Sequence, residues 1–361
     1  MRRSSSIAAL TSVLALVVAA CGPSAAPETS TTSTLAPVTT IAPTTTTMAT
    51  TTVPPSTTTT EAQPAVSEGI NGVPVSDPST IDRRTVAIKI SNSPEARPQS
   101  GLMEADIVYE ILVEGGLTRF LAVFQSEDLD WVGPVRSGRP TDAEVVRPYD
   151  GPFQVSGAQP WVKDIFASKD LKMIYDTGVT TWREHHRSAP HNLYTSTLLI
   201  RDYADERGWN DDNPGNMFAF GEPTESDEEA TEIVLDWSAH PPVRWVWNGE
   251  VYERFNADVP HPWITKDGDT GIVSTPVLVV ITGDRYTASP SGSGSSVPAI
   301  HTVGSGPVQV FMNGTVVEGT WSRDADTVPF TLTTDDGSEI VLPPSKIFVA
   351  IFPDTRTVSW S

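Results

Sequence analysis

The sequence predicts an α+β fold, in which a mixed α/β N-terminal domain is followed by a β-rich C-terminal domain. Strand-like and helix-like patterns alternate over residues 81–210, whereas residues 231–361 contain strand and turn patterns without a convincing helix. Residues 211–230 are acidic and rich in Pro and Gly, as exposed linkers are. The ordered part, about 280 residues, is long for a single core, so two domains are expected.

The chain begins with the pattern of a lipoprotein signal peptide over residues 1–20. Arg2 and Arg3 precede an apolar run, and Val18-Ala19-Ala20 precedes Cys21, which is the only cysteine. A positive start, an apolar stretch and small residues before the cleavage point are typical of secretory signals. The pattern resembles the bacterial lipobox, which implies cleavage before Cys21 and attachment of lipid, palmitate included, to its thiol. We therefore expect a protein anchored in the cell membrane by lipid and facing outwards; the alternative is a general secretory signal with an accidental cysteine.

Residues 21–80 are predicted to be a disordered stalk. Residues 29–60 consist largely of Thr with interspersed Pro and contain neither a charged residue nor an aromatic one. Such a segment cannot bury enough apolar surface to offset the conformational entropy lost on ordering. The stalk would hold the folded part at a distance from the membrane.

Composition excludes several classes of partner. The chain has 45 acidic against 24 basic residues, a net charge of −21, which disfavours nucleic acid because such binding depends on phosphate neutralisation. A single cysteine leaves no disulfide and no cysteine metal site in the folded part. We expect no cofactor and no metal, and as partners the membrane through lipidated Cys21 and a cell-wall polymer or an envelope protein.

Six longer elements are expected in the N-terminal domain. Two glycines between apolar runs, Gly115 and Gly116, indicate a hairpin, and Thr141 is the expected cap of the first helix. Gly208 follows the third helix as its C-terminal cap residue. The predicted strands cover 85–90, 107–113 and 118–124, and the predicted helices cover 140–146, 161–167 and 196–207.

The C-terminal domain is predicted to be built from hairpins. Asn248-Gly249 and Asn313-Gly314 each separate two β-rich runs, which is a strong hairpin signal. Gly304-Ser305-Gly306 is interpreted as a turn, and the tryptophans either pack in the core or form a carbohydrate-stacking surface. Further strands are expected over 271–281, 330–333, 339–342, 347–352 and 358–360.

Several separated motifs, in one order, resemble the DUF3048 family, the YerB-like bacterial lipoproteins. They are Ser93-Pro-Glu-Ala-Arg-Pro-Gln-Ser-Gly-Leu102, Val113-Glu-Gly-Gly-Leu-Thr-Arg-Phe120, Val132-Gly-Pro-Val-Arg-Ser-Gly-Arg-Pro140, Ala189-Pro-His-Asn-Leu-Tyr194 and Phe311-Met-Asn-Gly314. The resemblance covers essentially everything after the stalk and implies a two-domain envelope lipoprotein without an established activity. The family often has an acidic residue before Asn92, where this chain has Ser91.

Charged residues gather near glycines and prolines in the N-terminal domain. Glu110 lies within a strand and needs a partner if buried, and Arg119 on the next strand is the expected one. One interpretation is that the charged residues form ion pairs that brace the loops; the other is a polar pocket in which guanidinium groups hold a carboxylate or phosphate. The predicted ligand-binding residues are Arg97, Arg119, Arg136, Arg139 and Asn192.

Two functions follow from these residues. A binding or scaffolding protein of the envelope is favoured because no catalytic signature is present. The alternative is an envelope hydrolase or transferase, in which Glu110 or Glu114 acts with His191 as acid and base. That alternative requires these side chains to converge within hydrogen-bond reach around an open cleft. The histidines near His191 match no zinc motif.

Overall fold

The computed structural model describes residues 68–361, which belong to one compact unit. The signal peptide, Cys21 and the stalk up to residue 67 lie outside the described residues. No helix between residues 68 and 361 is long and apolar enough to cross a membrane.

The predicted α+β class is confirmed. In the N-terminal segment the strands are β1 (Val86–Ser91), β2 (Ile107–Leu112), β3 (Thr118–Phe124), β4 (Phe153–Gln154), β5 (Met173–Ile174), β6 (Thr181–Arg183) and β7 (Leu193–Thr195). The α-helices are α1 (Pro140–Val146), α2 (Pro160–Ser168) and α3 (Thr197–Glu206). Short 3₁₀ turns cover Pro78–Thr80, Pro94–Ala96, Glu114–Gly116 and Arg147–Tyr149.

The three predicted helices are present, and their ends have local causes. Proline begins α1 and α2 at the first helical turn, where its missing N–H costs no hydrogen bond. Thr141 is not the cap of α1; instead the Asp142 carboxylate accepts the Arg139 N–H at 2.7 Å. Gly208 follows α3 with φ +64°, a left-handed conformation that glycine adopts without strain.

The C-terminal segment, residues 231–361, contains strands and no helix. Its strands are β8 (Glu232–Leu235), β9 (Val243–Trp247), β10 (Tyr252–Asn256), β11 (Val259–Pro260), β12 (Pro262–Ile264), β13 (Thr270–Ile272), β14 (Ser274–Thr275), β15 (Val277–Gly283), β16 (Arg285–Ala288), β17 (Val297–Ile300), β18 (Gly304–Met312), β19 (Thr315–Arg323), β20 (Thr331–Thr333), β21 (Ile347–Pro353) and β22 (Val358–Trp360).

Both segments contribute to one ten-stranded sheet of order β20-β19-β18-β15-β21-β2-β3-β1-β4-β5. The junction is the parallel pair β2 and β21, with Tyr109 opposite Val349. The two predicted domains, 81–210 and 231–361, are therefore joined through a shared sheet. A second sheet, of order β11-β10-β9-β8-β22, is formed by the C-terminal segment alone.

The main sheet lies between the helices and the second sheet. On one face, Lys89 of β1 pairs with Asp142 of α1 at 2.6 Å, with both side chains fully buried. On the other face, Phe348 of β21 packs edge-on against Trp245 of β9 at 5.1 Å. Alternation along the strands thus places each face of the central strands against a different layer.

Three predictions for the C-terminal segment were wrong in detail. The run 271–281 is not one strand, because Pro276, which has no N–H to donate, separates β14 from β15. Residues 339–342 form only isolated bridges. Gly304-Ser305-Gly306 is not a turn but the start of β18, where Gly306 lies against Trp321 and has no room for a side chain.

The packed structure begins upstream of residue 81, and the segment 211–230 is more than an exposed connection. Ile70 is fully buried and donates its N–H to Gln125 Oε1 at 2.9 Å. Within 211–230 no strand or helix forms, yet Met217 and Phe218 are buried. This segment therefore packs against the rest of the folded part.

Candidate functional site

An open cleft of about 580 Å³, called here the central cleft, lies where loops of the two segments meet. One wall comes from the turn after β1 and the β2–β3 hairpin, and the other from the loop after β8 and the end of β10. Apolar side chains line much of it, and its lining also contains the charged residues Glu95, Arg97 and Arg254. The lining residues used below are Asn92, Ser93, Arg97, Leu117, Thr118, Trp237, Pro241, Val243 and Arg254.

A smaller depression of about 250 Å³, the arginine cavity, adjoins the central cleft. Its lining includes Arg119, Arg136 and Arg139, which are three of the five predicted ligand-binding residues. Its only acidic lining residue is Glu114. The two depressions share the wall formed by Asn92, Ser93, Leu117 and Thr118.

The backbone around the arginine cavity explains why these side chains meet. Val135 bridges to Ile90 of β1, and the Arg136 N–H donates to Lys89 O at 2.8 Å. The loop therefore runs beside the end of β1 before α1 begins at Pro140. Arg119 lies at the start of β3, opposite Ile111, and its Nη1 donates to Ser137 O at 2.6 Å.

The three guanidinium groups are unequally neutralised. Arg139 holds Glu114 in a bidentate pair, with Nη2–Oε1 at 2.6 Å and Nε–Oε2 at 2.7 Å. Burial would raise the pKa of Glu114, but these hydrogen bonds keep it below its ordinary value. Among residues 68–361, no carboxylate lies within 4.0 Å of Arg119 or Arg136. The cavity thus retains two positive charges in excess.

Burial and mutual repulsion lower the pKa values of the arginines in this cavity. Burial, reinforced by the charges of Arg139 and Arg136, lowers the pKa of Arg119 to about 9. The pKa of Arg136 is also lowered, by burial and by Arg139. Within the described part of the chain, Arg136 Nε has no hydrogen-bond partner. An anion in the cavity would relieve the repulsion between the guanidinium groups.

Glu110 does not pair with Arg119, so that prediction was wrong. Glu110 lies opposite Phe120 on the face of β2 that meets the second sheet, whereas Arg119 lies on the other face. Its partner is Arg254 of β10, whose Nη2 lies 2.7 Å from Glu110 Oε1. Both side chains are buried, with exposures of 3% and 0%.

A buried polar network surrounds this pair. Glu110 Oε1 also accepts from Thr118 Oγ1 at 2.6 Å and from Asn92 Nδ2 at 3.2 Å. Arg254 Nη1 contacts Asn256 Oδ1 at 3.0 Å and His261 Nδ1. The network crosses between the two segments directly beneath the central cleft and fixes the position of its floor.

His261, which the sequence analysis did not identify, is fully buried in this network. Because Arg254 donates to Nδ1, the proton of the neutral ring belongs on Nε2, which donates to Gln99 Oε1 at 2.8 Å. Burial, with the charges of Arg254 and Arg97, lowers the pKa of His261 well below its ordinary value. The imidazole is therefore neutral and structural.

The predicted acid–base residues do not converge. His191 Nδ1 lies 3.5 Å from Ser91 Oγ and 3.4 Å from Ser93 Oγ. Burial and the charge of Arg136 lower the pKa of His191. Within residues 68–361, no hydrogen bond joins His191 to Glu110 or Glu114, each of which is held by an arginine.

Two further predicted ligand-binding residues have different surroundings. Arg97 lines the central cleft; burial, followed by the charge of Arg254, lowers its pKa to about 10. No carboxylate in the described chain lies within 4.0 Å of Arg97. Asn192 instead lies directly before β7, and its Oδ1 accepts a hydrogen bond from Arg183 Nη1 of β6 at 2.9 Å. It does not line either depression.

Family models match both segments of the chain. Residues 70–210 match "Protein of unknown function (DUF3048) N-terminal domain", and residues 233–349 match the corresponding C-terminal domain. The chain belongs to the DUF3048 family.

Sequence and structure comparisons both find similarity to YerB of Bacillus subtilis. A Bacillus subtilis (strain 168) protein named "Putative lipoprotein YerB" is 30% identical over 287 residues, which cover 78% of this chain and 84% of that protein. The crystal structure of YerB protein from Bacillus subtilis superposes with a TM-score of 0.69 at 27% identity, covering 81% of this chain and 99% of that one. The residues that line the arginine cavity lie within the range that matches the DUF3048 N-terminal domain. Arg254 and His261 lie within the range that matches the C-terminal domain.

Proposed function

We propose that this DUF3048 protein is a lipid-anchored, extracytoplasmic envelope protein that binds an anionic ligand in the arginine cavity and central cleft. The ligand belongs to a cell-wall polymer or to an envelope partner. The observation that carries the proposal is the set of guanidinium groups of Arg97, Arg119 and Arg136, none with a carboxylate within 4.0 Å in the described residues.

These arginines lack a counter-ion within the described residues, in a chain that is rich in carboxylates. With a net charge of −21, carboxylates are abundant, and most lysines and arginines of the described part pair with one. Arg97, Arg119 and Arg136 are half-buried, and a desolvated guanidinium group without a counter-ion is costly unless something else compensates it. A ligand anion would provide that compensation through bidentate hydrogen bonds.

The anchor is supported by the lipobox pattern before Cys21 and by the name of the Bacillus subtilis relative, which calls that protein a lipoprotein. We expect Cys21→Ala to release the protein from the membrane or to leave the precursor uncleaved. Membrane fractionation and the apparent mass of the product measure both. A variant that is still membrane-bound and processed like the wild type would contradict the anchor.

Anion binding is tested by thermal unfolding of the full chain in detergent, at constant ionic strength, with phosphate, sulfate, citrate or chloride. A ligand at ten times its Kd stabilises the folded state by about 1.4 kcal/mol, which raises Tm by about 2–4 °C. Arg136→Lys should keep the Tm of the ligand-free protein and lose most of the anion effect, because lysine cannot form the bidentate fork.

Arg147 provides the matched control, since it lines neither the arginine cavity nor the central cleft. Arg147→Lys should retain the full anion effect. If no anion stabilises the wild type and Arg136→Lys markedly lowers Tm, the arginines brace the loops and no anion site exists.

The hydrolase or transferase alternative has less support. Glu110 is covered by Arg254, and Glu114 is held by the Nε–Nη2 edge of the Arg139 guanidinium group. Neither carboxylate is placed to exchange a proton with His191.

A further inference from the structure

The arginine cavity and the central cleft differ in charge and lining, and together they specify the class of anion. We propose that the ligand is a phosphate monoester, whose dianionic phosphate occupies the arginine cavity and whose ring-bearing or apolar body occupies the central cleft. This inference rests on the proposed function and narrows its ligand class.

The net charge of the arginine cavity matches that of a dianion. Arg119, Arg136 and Arg139 face a single carboxylate, Glu114, so the cavity has two uncompensated positive charges. A phosphate monoester carries about −1.5 to −2 at neutral pH. A carboxylate or a phosphate diester would bring only one negative charge and leave about half of the excess uncompensated.

The donor set of the cavity also favours a phosphate. Within the described residues, Arg136 donates no side-chain hydrogen bond, and Arg119 donates only one, from Nη1 to Ser137 O. Hydroxyl groups of Ser91 and Ser93 also line the cavity, and their contacts with His191 are long. Donors from several directions suit the three terminal oxygens of a phosphate better than the two coplanar oxygens of a carboxylate.

The size and polarity of the central cleft favour a ligand with an apolar body. A phosphate group alone would leave the central cleft of about 580 Å³ empty beside it. Leu117 lies in the wall common to both depressions, and Trp237 and Val243 extend the apolar lining on the side of the second sheet. An apolar or ring-shaped body attached to the phosphate would cover this surface and gain affinity by its burial.

The experiment is isothermal titration calorimetry on the full chain in detergent, at pH 7.5 and constant ionic strength. Methyl phosphate, dimethyl phosphate and phenyl phosphate differ by one feature at a time. Methyl phosphate should bind at least about tenfold more tightly than dimethyl phosphate, because only the former is a dianion. Phenyl phosphate should bind at least about tenfold more tightly than methyl phosphate, because the ring buries apolar area in the central cleft.

Variants locate the two parts of the ligand. Arg136→Gln should weaken methyl phosphate binding at least about tenfold, whereas Arg147→Gln should not change it. Val243 lines the central cleft but not the arginine cavity, so Val243→Ser should reduce the advantage in affinity of phenyl over methyl phosphate and leave the affinity for methyl phosphate within about twofold of the wild type. Ligand-free Tm values show whether each variant is folded, and Arg119→Lys replaces Arg136→Gln if the latter is not.

The outcomes separate this inference from the proposed function. If dimethyl phosphate or acetate binds as tightly as methyl phosphate, the anion site stands and the dianionic class is wrong. If phenyl and methyl phosphate bind equally, the central cleft does not hold the ligand body. If no anion binds in calorimetry or stabilises the chain, both proposals are wrong.

Discussion

Replacing Glu110 by Gln tests whether the buried network holds the two segments together beneath the central cleft. The amide oxygen of Gln can still accept from Thr118 and Asn92, so the change removes mainly the charge opposite Arg254. At 2.7 Å and an effective dielectric constant of about 20, the Coulomb attraction is about 6 kcal/mol. The retained hydrogen bond to the guanidinium group returns about 1.5–3 kcal/mol.

The expected net loss is therefore about 3–5 kcal/mol, the range seen when one partner of a buried pair is removed. That is a large part of a typical folding free energy of about 5–15 kcal/mol. Urea unfolding followed by tryptophan fluorescence measures it, because Trp245 packs beside Arg254. The matched control is Asp130→Asn, whose partner Lys266 is 57% exposed and whose own side chain is 59% exposed. Asp130→Asn should cost less than about 1 kcal/mol.

A loss below about 1 kcal/mol in Glu110→Gln, equal to that of Asp130→Asn, would refute the reasoning. It would mean that the Glu110–Arg254 pair is solvated or contributes no net attraction. A changed urea slope with an unchanged midpoint would point instead to altered compactness of the native or unfolded chain.

Three further predictions concern the same layers. Because the pKa of His261 is lowered in the folded state, protonation of this residue favours the unfolded chain. The free energy of unfolding should therefore be retained above about pH 6.5 and fall by about 1.4 kcal/mol per pH unit below it. Equal urea midpoints at pH 7.5 and 5.5 would contradict this. Lys89→Met should cost about 3–5 kcal/mol because it leaves the buried Asp142 carboxylate without its counter-ion, and the double variant with Asp142→Asn, which keeps an acceptor for the Arg139 N–H, should recover part of the loss in the same assay. Gly116→Ala should lower Tm more than Gly115→Ala, since both have φ near +70° but only the former would place a Cβ 2.7 Å from another side chain; equal shifts would exclude that contact.

Local signals in the sequence were sufficient for most elements near the site. The hairpin between β2 and β3 follows from Gly115 and Gly116, both of which have positive φ. The Asn248-Gly249 and Asn313-Gly314 hairpins join β9 to β10 and β18 to β19, as predicted. Turn chemistry and alternation act over a few residues, so they can be recognised without knowledge of the tertiary fold.

The pairing of Glu110 could not be obtained in this way. Its partner Arg254 is 144 residues away and belongs to a sheet whose position depends on the parallel pairing of β2 with β21. One signal was present in the sequence, because Arg254 lies two residues after Tyr252 and therefore on the same face of the predicted strand. In the structure both side chains are fully buried. A charged residue at a core-facing strand position requires a buried partner. The partner's identity depends on tertiary packing alone.

Two groups of arginines with different roles explain how an acidic protein can maintain a positively charged arginine cavity. Arg254 is neutralised by Glu110 and held by Asn256, so it orders the floor and adds little net charge. Arg119 and Arg136 have no such counter-ion in the described residues, and the pKa of each is lowered by burial and by a neighbouring guanidinium group. Asn92 and Thr118 of the network also line the arginine cavity, in the wall that it shares with the central cleft. The excess carboxylates elsewhere repel large polyanions, so a small anion on a compact body is the ligand that this distribution of charge favours.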